Sequence, residues 1–127
     1  MSMRTAVPKR VARDPHSRSV QLDIADVAAA LRQHLGQALL AIIVDKNVRT
    51  LTRWSSGDVK PPQATEKLLR DAFQVFELLL TVDSESVARA WFMGMNPQLA
   101  DASPVEALAG GQAKTVLAAA RAYISGG

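Results

Sequence analysis

Residues 40–62 run LAIIVDKNVRTLTRWSSGDVKPP, and their pattern decides the fold class. The apolar stretch Leu39–Val44 contains β-branched Ile42, Ile43 and Val44, residue types that alone would suit a strand. No second strand pattern occurs in the chain to pair with it, so the stretch is expected to be a buried helix. Asn47 then serves as N-cap for a helix over Val48–Ser55, because its side-chain oxygen can accept an orphan backbone N–H, and Gly57 supplies the stop. With Leu51 facing inward, Arg49, Thr52 and Arg53 stand at i, i+3 and i+4 on the opposite face. That face suits a DNA major groove, where arginine pairs with guanine through two hydrogen bonds and threonine meets a base edge or phosphate. Lys46 and the helix N-terminus capped by Asn47 offer a phosphate both charge and backbone amides. Lys60 could anchor the flanking backbone. The rival is a helical hairpin kept only for stability.

Working outward, helical spacing persists. Ile24, Val27, Ala28, Leu31 and Leu35 make one apolar face on a helix over 24–35, with Asp23 as its cap and Gly36 at its end. Ahead of it, residues 1–20 carry Arg4, Lys9, Arg10, Arg13 and Arg18 against Asp14, and Pro8 and Pro15 break any helix there. This segment is read as a disordered basic arm, and 21–62 as the domain that holds the two helices above.

Pro61 and Pro62 separate the halves. From Gln63 or Ala64 a long helix is predicted to run to about Val82. Leu68, Leu69, Ala72, Phe73, Val75, Phe76, Leu79 and Leu80 surround much of it, so more than one side must be buried. Its apolar excess calls for a second copy or another protein to cover it. Asp83 or Ser84 caps a helix containing Val87, Ala88, Trp91 and Phe92, which breaks at Gly94–Pro97. Trp91, Phe92 and Met95 are expected in the core. Ser103-Pro104-Val105-Glu106 has capping-box spacing with proline at the first helical position. After Gly110-Gly111, Ala113, Val116, Leu117, Ala120, Tyr123 and Ile124 form the stripe of a last helix. The fold class is all-α, with residues 63–127 as a second helical domain.

The chain of 127 residues is 48% hydrophobic and 21% charged, which excludes global disorder and suits one domain or two small ones. Cysteine is absent, so disulfides, thiol nucleophiles and cysteine-bound zinc are excluded. The longest uncharged stretch, Gln33–Val44, falls short of the roughly 18 residues a membrane-spanning helix needs. No secretory signal pattern is present, and a cytoplasmic location is expected. The net charge of +3 divides unevenly, +5 over residues 1–60 and −2 over 61–127, although the arm alone supplies +4.

Catalysis has little to work with. His16 and His34 show no metal-ligand spacing, and no phosphate loop or serine elbow occurs. Glu66 and Asp71, or Asp83 and Glu85, are better read as capping and solvated charges than as an acid/base pair. No catalytic, cofactor or metal residue is assigned.

The 40–62 segment resembles the helix-turn-helix of Xre/Cro-type regulators. Leu40-Ala41 begins the supporting helix, Asn47 sits where a capping serine is usual, and Thr50-Leu51 with Arg53-Trp54 occupies the recognition helix. Gly57 and Lys60-Pro61-Pro62 match the exit. Asp45 stands where these regulators usually carry glycine; aspartate tolerates left-handed backbone better than most residues, while its charge weakens phosphate contact. Ala90-Trp91, Asn96-Pro97, Leu99, Ser103-Pro104, Glu106-Ala107-Leu108 and Gly110-Gly111 in turn resemble the Xre/MbcA/ParS toxin-binding domain of antitoxins partnered with RES-domain toxins. The resemblance spans about residues 36–125. Met93-Gly94-Met95 and Ala100-Asp101-Ala102 stand where more glycine is expected.

The resemblance implies a type II antitoxin that occludes the active-site entrance of an NAD-degrading RES-domain toxin and represses its own operon by binding operator DNA. Lys46, Asn47, Arg49, Thr52, Arg53 and Lys60 would meet DNA. Trp91, Asn96, Pro97, Arg121, Tyr123 and Ile124 are the candidates for toxin contact, arginine and tyrosine being favoured at interface hot spots. Such a chain would work as a homo-oligomer or within a toxin–antitoxin hetero-oligomer. The alternative is a free-standing Xre-type regulator whose second half only dimerises.

Overall fold

The first helix forms where the sequence concentrates one apolar face: α1, Ile24–Leu35, buries Ile24, Val27, Ala28, Leu31 and Leu35. Asp23 holds the N-cap position, but its side chain accepts no capping hydrogen bond; its backbone carbonyl takes the Val27 N–H instead. The computed structural model describes residues 22–126 and Pro15. The arm expected over 1–20 otherwise lies outside the described residues, as does His16.

Six further α-helices follow among the described residues: α2 Gln37–Val44, α3 Val48–Ser56, α4 Gln63–Leu79, α5 Glu85–Met93, α6 Pro104–Ala109 and α7 Ala113–Ile124, with a 3-10 turn at Pro97–Leu99. No strand occurs among them, and two of the three β-branched residues of α2, Ile43 and Val44, act as helix core together with Leu40. Tertiary burial of that face outweighs their strand preference. The fold is all-α.

Local signals place the ends. Asn47 Oδ1 accepts the Thr50 N–H at 2.9 Å, and Gly57, at φ 82°, closes α3 in the left-handed region that glycine enters without a Cβ clash. Ser84 caps α5 through the Val87 N–H. The capping box of α6 is complete: Glu106 N–H donates to Ser103 Oγ at 3.1 Å, and Ser103 N–H donates to Glu106 Oε1 at 2.9 Å.

Three expectations need correction. The long helix stops at Leu79, not Val82, because Thr81 and Val82 N–H turn back to the Leu78 and Leu79 carbonyls, and Thr81 Oγ1 also donates to Leu78 O. Its apolar surface needs no outside cover, since α4 packs against both α1 and α7 and also touches α2 and α5, burying Leu69, Ala72, Phe73, Val75, Phe76 and Leu79. Met95 is not core; it is 77% exposed, while Phe92 is fully buried and Trp91 partly so.

The buried residues of α1–α7 form one contiguous cluster. Its largest members, Phe73, Phe76 and Phe92, each contribute roughly 1.5–3 kcal/mol of burial. Around this core α3 rests mainly on α1, and α6 on α2, which leaves the outer face of α3 and the α5–α6 loop free to carry function.

Candidate nucleic-acid and partner surfaces

The turn between α2 and α3 depends on a residue that is not glycine. Asp45 sits at φ 55°, ψ 49°, and the Lys46 N–H folds back to the Ala41 carbonyl at 3.2 Å. This sharp reversal brings α3 across with Leu51 and Trp54 buried. Lys46, Asn47, Arg49, Thr52, Arg53 and Lys60 are all exposed. Arg49 projects freely, with no ion pair among the described residues, whereas Arg53 Nε donates to Asp58 Oδ2 at 3.3 Å and is partly neutralised. Thr52 Oγ1 donates to the Val48 carbonyl, leaving its acceptor lone pairs outward. Because Asn47 takes the Thr50 amide, the Val48 and Arg49 amides remain for an outside acceptor. Behind α3, Arg32 donates to Ser55 Oγ at 2.7 Å and to Gln37 Oε1 at 3.4 Å, tying α1, α2 and α3 together.

The six candidates in the second half do not share one face. Trp91, Asn96, Pro97 and Tyr123 line a groove of about 380 Å³ together with Met95 and Gln98. The Trp91 and Tyr123 rings stand 6.2 Å apart across it. Arg121 lies outside this groove and borders another, of about 290 Å³, with Lys67, Asp71 and Lys114. Arg121 and Tyr123 stand two positions apart on α7, which turns their side chains to different sides. Ile124 is half-buried against the core.

Asn96 has local duties. Its side chain accepts the Gln98 N–H at 2.9 Å, its carbonyl accepts the Leu99 and Asp101 N–H groups, and its N–H donates to Ala102 O. These bonds hold Ala100 and Asp101 at φ 55° and 67°. The loop thus takes the left-handed geometry for which glycine was expected, at a backbone cost of about 1–2 kcal/mol per such residue. Tyr123 is 41% exposed and donates its hydroxyl to Asp83 Oδ2 at 2.7 Å. The hydrogen bond to that carboxylate holds the phenol above its ordinary 10, and partial desolvation adds to the rise.

His34 and four carboxylates act as structural ties. His34 Nδ1 lies 2.9 Å from Glu85 Oε2, and Nε2 lies 3.9 Å from Glu77. The His34 contact holds the Glu85 carboxyl below its ordinary 4.5. Glu66 pairs with Arg70 at 2.9 Å and Asp71 with Lys67 at 3.1 Å, so these carboxylates are engaged charges and not merely solvated ones.

Sequence inspection missed an apolar surface. Ile42 and Met93 are 54% and 53% exposed, and with Leu39, Met95 and Val105 they line a groove of about 460 Å³. Ile42 lies off the Leu40–Ile43–Val44 face, but a stretch apolar at nearly every position does not announce which side points out. Met95 borders both this groove and that of Trp91 and Tyr123.

No protein-family model matches the chain, nor does any curated protein by sequence. Among solved structures, it is similar to one chain of the crystal structure of the M. tuberculosis MbcT–MbcA toxin–antitoxin complex, with 25% identity and a TM-score of 0.71. The match covers 83% of this chain and 96% of that one. The fold described here is therefore similar to that of a component of a toxin–antitoxin complex over nearly the whole of that component.

Proposed function

We propose that this chain is the antitoxin of a type II toxin–antitoxin pair. It neutralises a RES-type, NAD-degrading toxin by covering the entrance to its active site, and it represses its own operon by binding operator DNA. The observation that carries the proposal is the likeness to a toxin–antitoxin component over 96% of that component's length. The antitoxin side of the pair is favoured because Asn96-Pro97 and Ser103-Pro104-Glu106, which resemble the toxin-binding domain, form successive hydrogen-bonded turns, with Trp91 of α5 lining the same groove as Asn96 and Pro97.

The work is divided along the chain. Residues 21–62 meet DNA through Lys46, Asn47, Arg49, Thr52, Arg53 and Lys60, with α2–Asp45–α3 as a helix-turn-helix. Residues 63–127 hold the toxin through Trp91, Pro97 and Tyr123 in their groove, shaped by Asn96, with Arg121 and Ile124 at the end of α7. Occlusion requires no reaction from the chain itself. An apolar, ring-lined groove beside exposed Met95 suits it, since buried aromatic and apolar anchors dominate interface energetics.

A tagged pull-down from the native host, washed at high salt, tests the proposal. Phosphate-driven contacts fall away under that wash, whereas an apolar protein interface persists. Recovery of a stoichiometric RES-like protein is the expected result. Recovery of the bait alone would overturn the antitoxin assignment in favour of a free-standing regulator.

A further inference from the structure

We infer that the seam between α4 and α7 is a second docking surface for the toxin, and that it takes an acidic amphipathic helix laid along α7 with its carboxylates toward Lys114 and Arg121. The inference rests on the antitoxin reading and deepens it by naming what the partner presents.

The distribution of charge carries it. Residues 61–127 hold five cations and seven anions. Arg70 is tied to Glu66 and to the Leu22 carbonyl, and Arg89 donates to the His34 carbonyl. The other three cations border two grooves of about 550 and 290 Å³ along the seam: Lys67 and Lys114 border both, and Arg121 the smaller. Asp71 is the one carboxylate that lines them. A face of net +2 therefore stands on a half of the chain whose net charge is −2. Asp71 engages Lys67 at 3.1 Å, while Lys114 and Arg121 form no ion pair among the described residues.

An exposed cation is ordinarily satisfied by water; what marks these two is the apolar floor beside them. Positions 114, 117 and 121 share one face of α7, so half-buried Leu117 lies between Lys114 and Arg121. Half-buried Leu68 of α4 and buried Leu108 of α6 line the larger groove. A phosphate backbone gains nothing from that hydrocarbon and is repelled by Asp71. A protein segment that flanks apolar side chains with carboxylates gains from both. Lys114 and Arg121 stand seven residues apart, which is about 10 Å along the helix. Carboxylates two turns apart on a partner helix have the same spacing, and a helix lying in an apolar groove is a recurring mode of recognition. The Arg121 guanidinium can hold its carboxylate through two parallel hydrogen bonds.

The test uses the full chain, the double variant Lys114→Gln with Arg121→Gln, and the exchange variant Lys114→Arg with Arg121→Lys. The probe is the RES-like protein retained by the high-salt pull-down, titrated against each across a KCl series. Circular dichroism and thermal midpoint report whether each variant keeps the fold. The glutamine variant should bind about tenfold more weakly at low salt, with the loss shrinking as KCl rises, and the exchange variant should stay within about threefold of the full chain. Zero-length carbodiimide coupling within the complex should join Lys114 Nζ to a toxin peptide that carries two acidic residues about seven positions apart. Unchanged affinity of the folded glutamine variant, or a loss of equal size at every salt, overturns the acidic segment and leaves the Trp91 groove standing. A glutamine variant that keeps the toxin but loses affinity for a duplex from upstream of its own reading frame assigns the face to phosphate and overturns the inference. If no RES-like protein is retained, the antitoxin reading falls and this inference with it.

Discussion

The imidazole of His34 lies nearly parallel to the ring of Phe76, with centroids 4.5 Å apart and planes 5° apart. Phe76 in turn stacks on Phe92 at 5.5 Å. A residue of α1 is thereby joined through α4 to α5, and Arg89 of α5 reaches back to the His34 carbonyl. Replacing Phe76 by alanine would open a cavity at this junction, and a loss of about 3–5 kcal/mol is expected from urea unfolding. A loss under about 1 kcal/mol would show that the stack carries little of the core.

The phenol of Tyr123 provides a second test, and because it is the only tyrosine in the chain its titration is unambiguous. Its folded pKa is raised, so the bond to Asp83 stabilises the fold below the ordinary value of 10 and is lost as pH rises through the folded value. Absorbance at the phenolate band should show a midpoint above 10. Asp83→Asn should bring it back toward 10, and an unmoved midpoint would remove the carboxylate as the cause.

Left-handed backbone at Ala100 and Asp45 predicts opposite responses to two small residues. Ala100→Gly should raise stability by about 1 kcal/mol, since glycine pays no Cβ penalty there. Asp45→Gly should be neutral or mildly stabilising, and Asp45→Ala destabilising by about 1 kcal/mol, because alanine meets the steric cost without aspartate's local hydrogen bonding. Denaturant midpoints at constant slope would decide. Equal midpoints for the glycine and alanine variants of Asp45 would refute the left-handed turn.

The side-chain caps of α3 and α6 should behave alike. Asn47→Ala and Ser103→Ala each remove an oxygen that satisfies a helix N-terminal amide, and each should cost about 1 kcal/mol. The capping box predicts that Glu106→Ala shares part of the Ser103 effect, so a double-mutant cycle should be non-additive.

Asp58 restrains Arg53 on the proposed DNA face. Asp58→Asn should leave stability within about 0.5 kcal/mol, since the pair is exposed, and should strengthen duplex binding roughly three- to tenfold at moderate salt. Weaker binding would mean that Asp58 positions Arg53 and does not compete for it.

Much of the architecture is legible in the chain because its signals are local. The three- and four-residue spacing of Ile24 to Leu35, the Asn47 and Ser103 caps and the proline breaks each act within a few residues, and the helices begin close to where these stand. The end of α4 is the converse case: Leu80 and Val82 continue the apolar pattern beyond Leu79, and the turn of the Thr81 and Val82 amides and the Thr81 hydroxyl back to Leu78 and Leu79 stops the helix. The exposed basic face of α3 was also visible in advance, since burial of Leu51 dictates where Arg49 and Thr52 point.

Tertiary structure alone decided which apolar residues face solvent and which candidates share a surface. Leu39–Val44 is apolar at every position, and only the packing of α2 on its neighbouring helices decides that Ile42 stays outside. Met95 and Trp91 look equally suited to a core, yet the loop held by Asn96 carries Met95 outward while α5 keeps Trp91 half-buried. Trp91 and Tyr123 lie 32 residues apart in sequence and meet across one groove, whereas Arg121, two residues from Tyr123, lines another. Helix period and capping chemistry are written in neighbouring residues; the side of a helix that stays bare depends on what distant segments cover, and that is settled only when they pack.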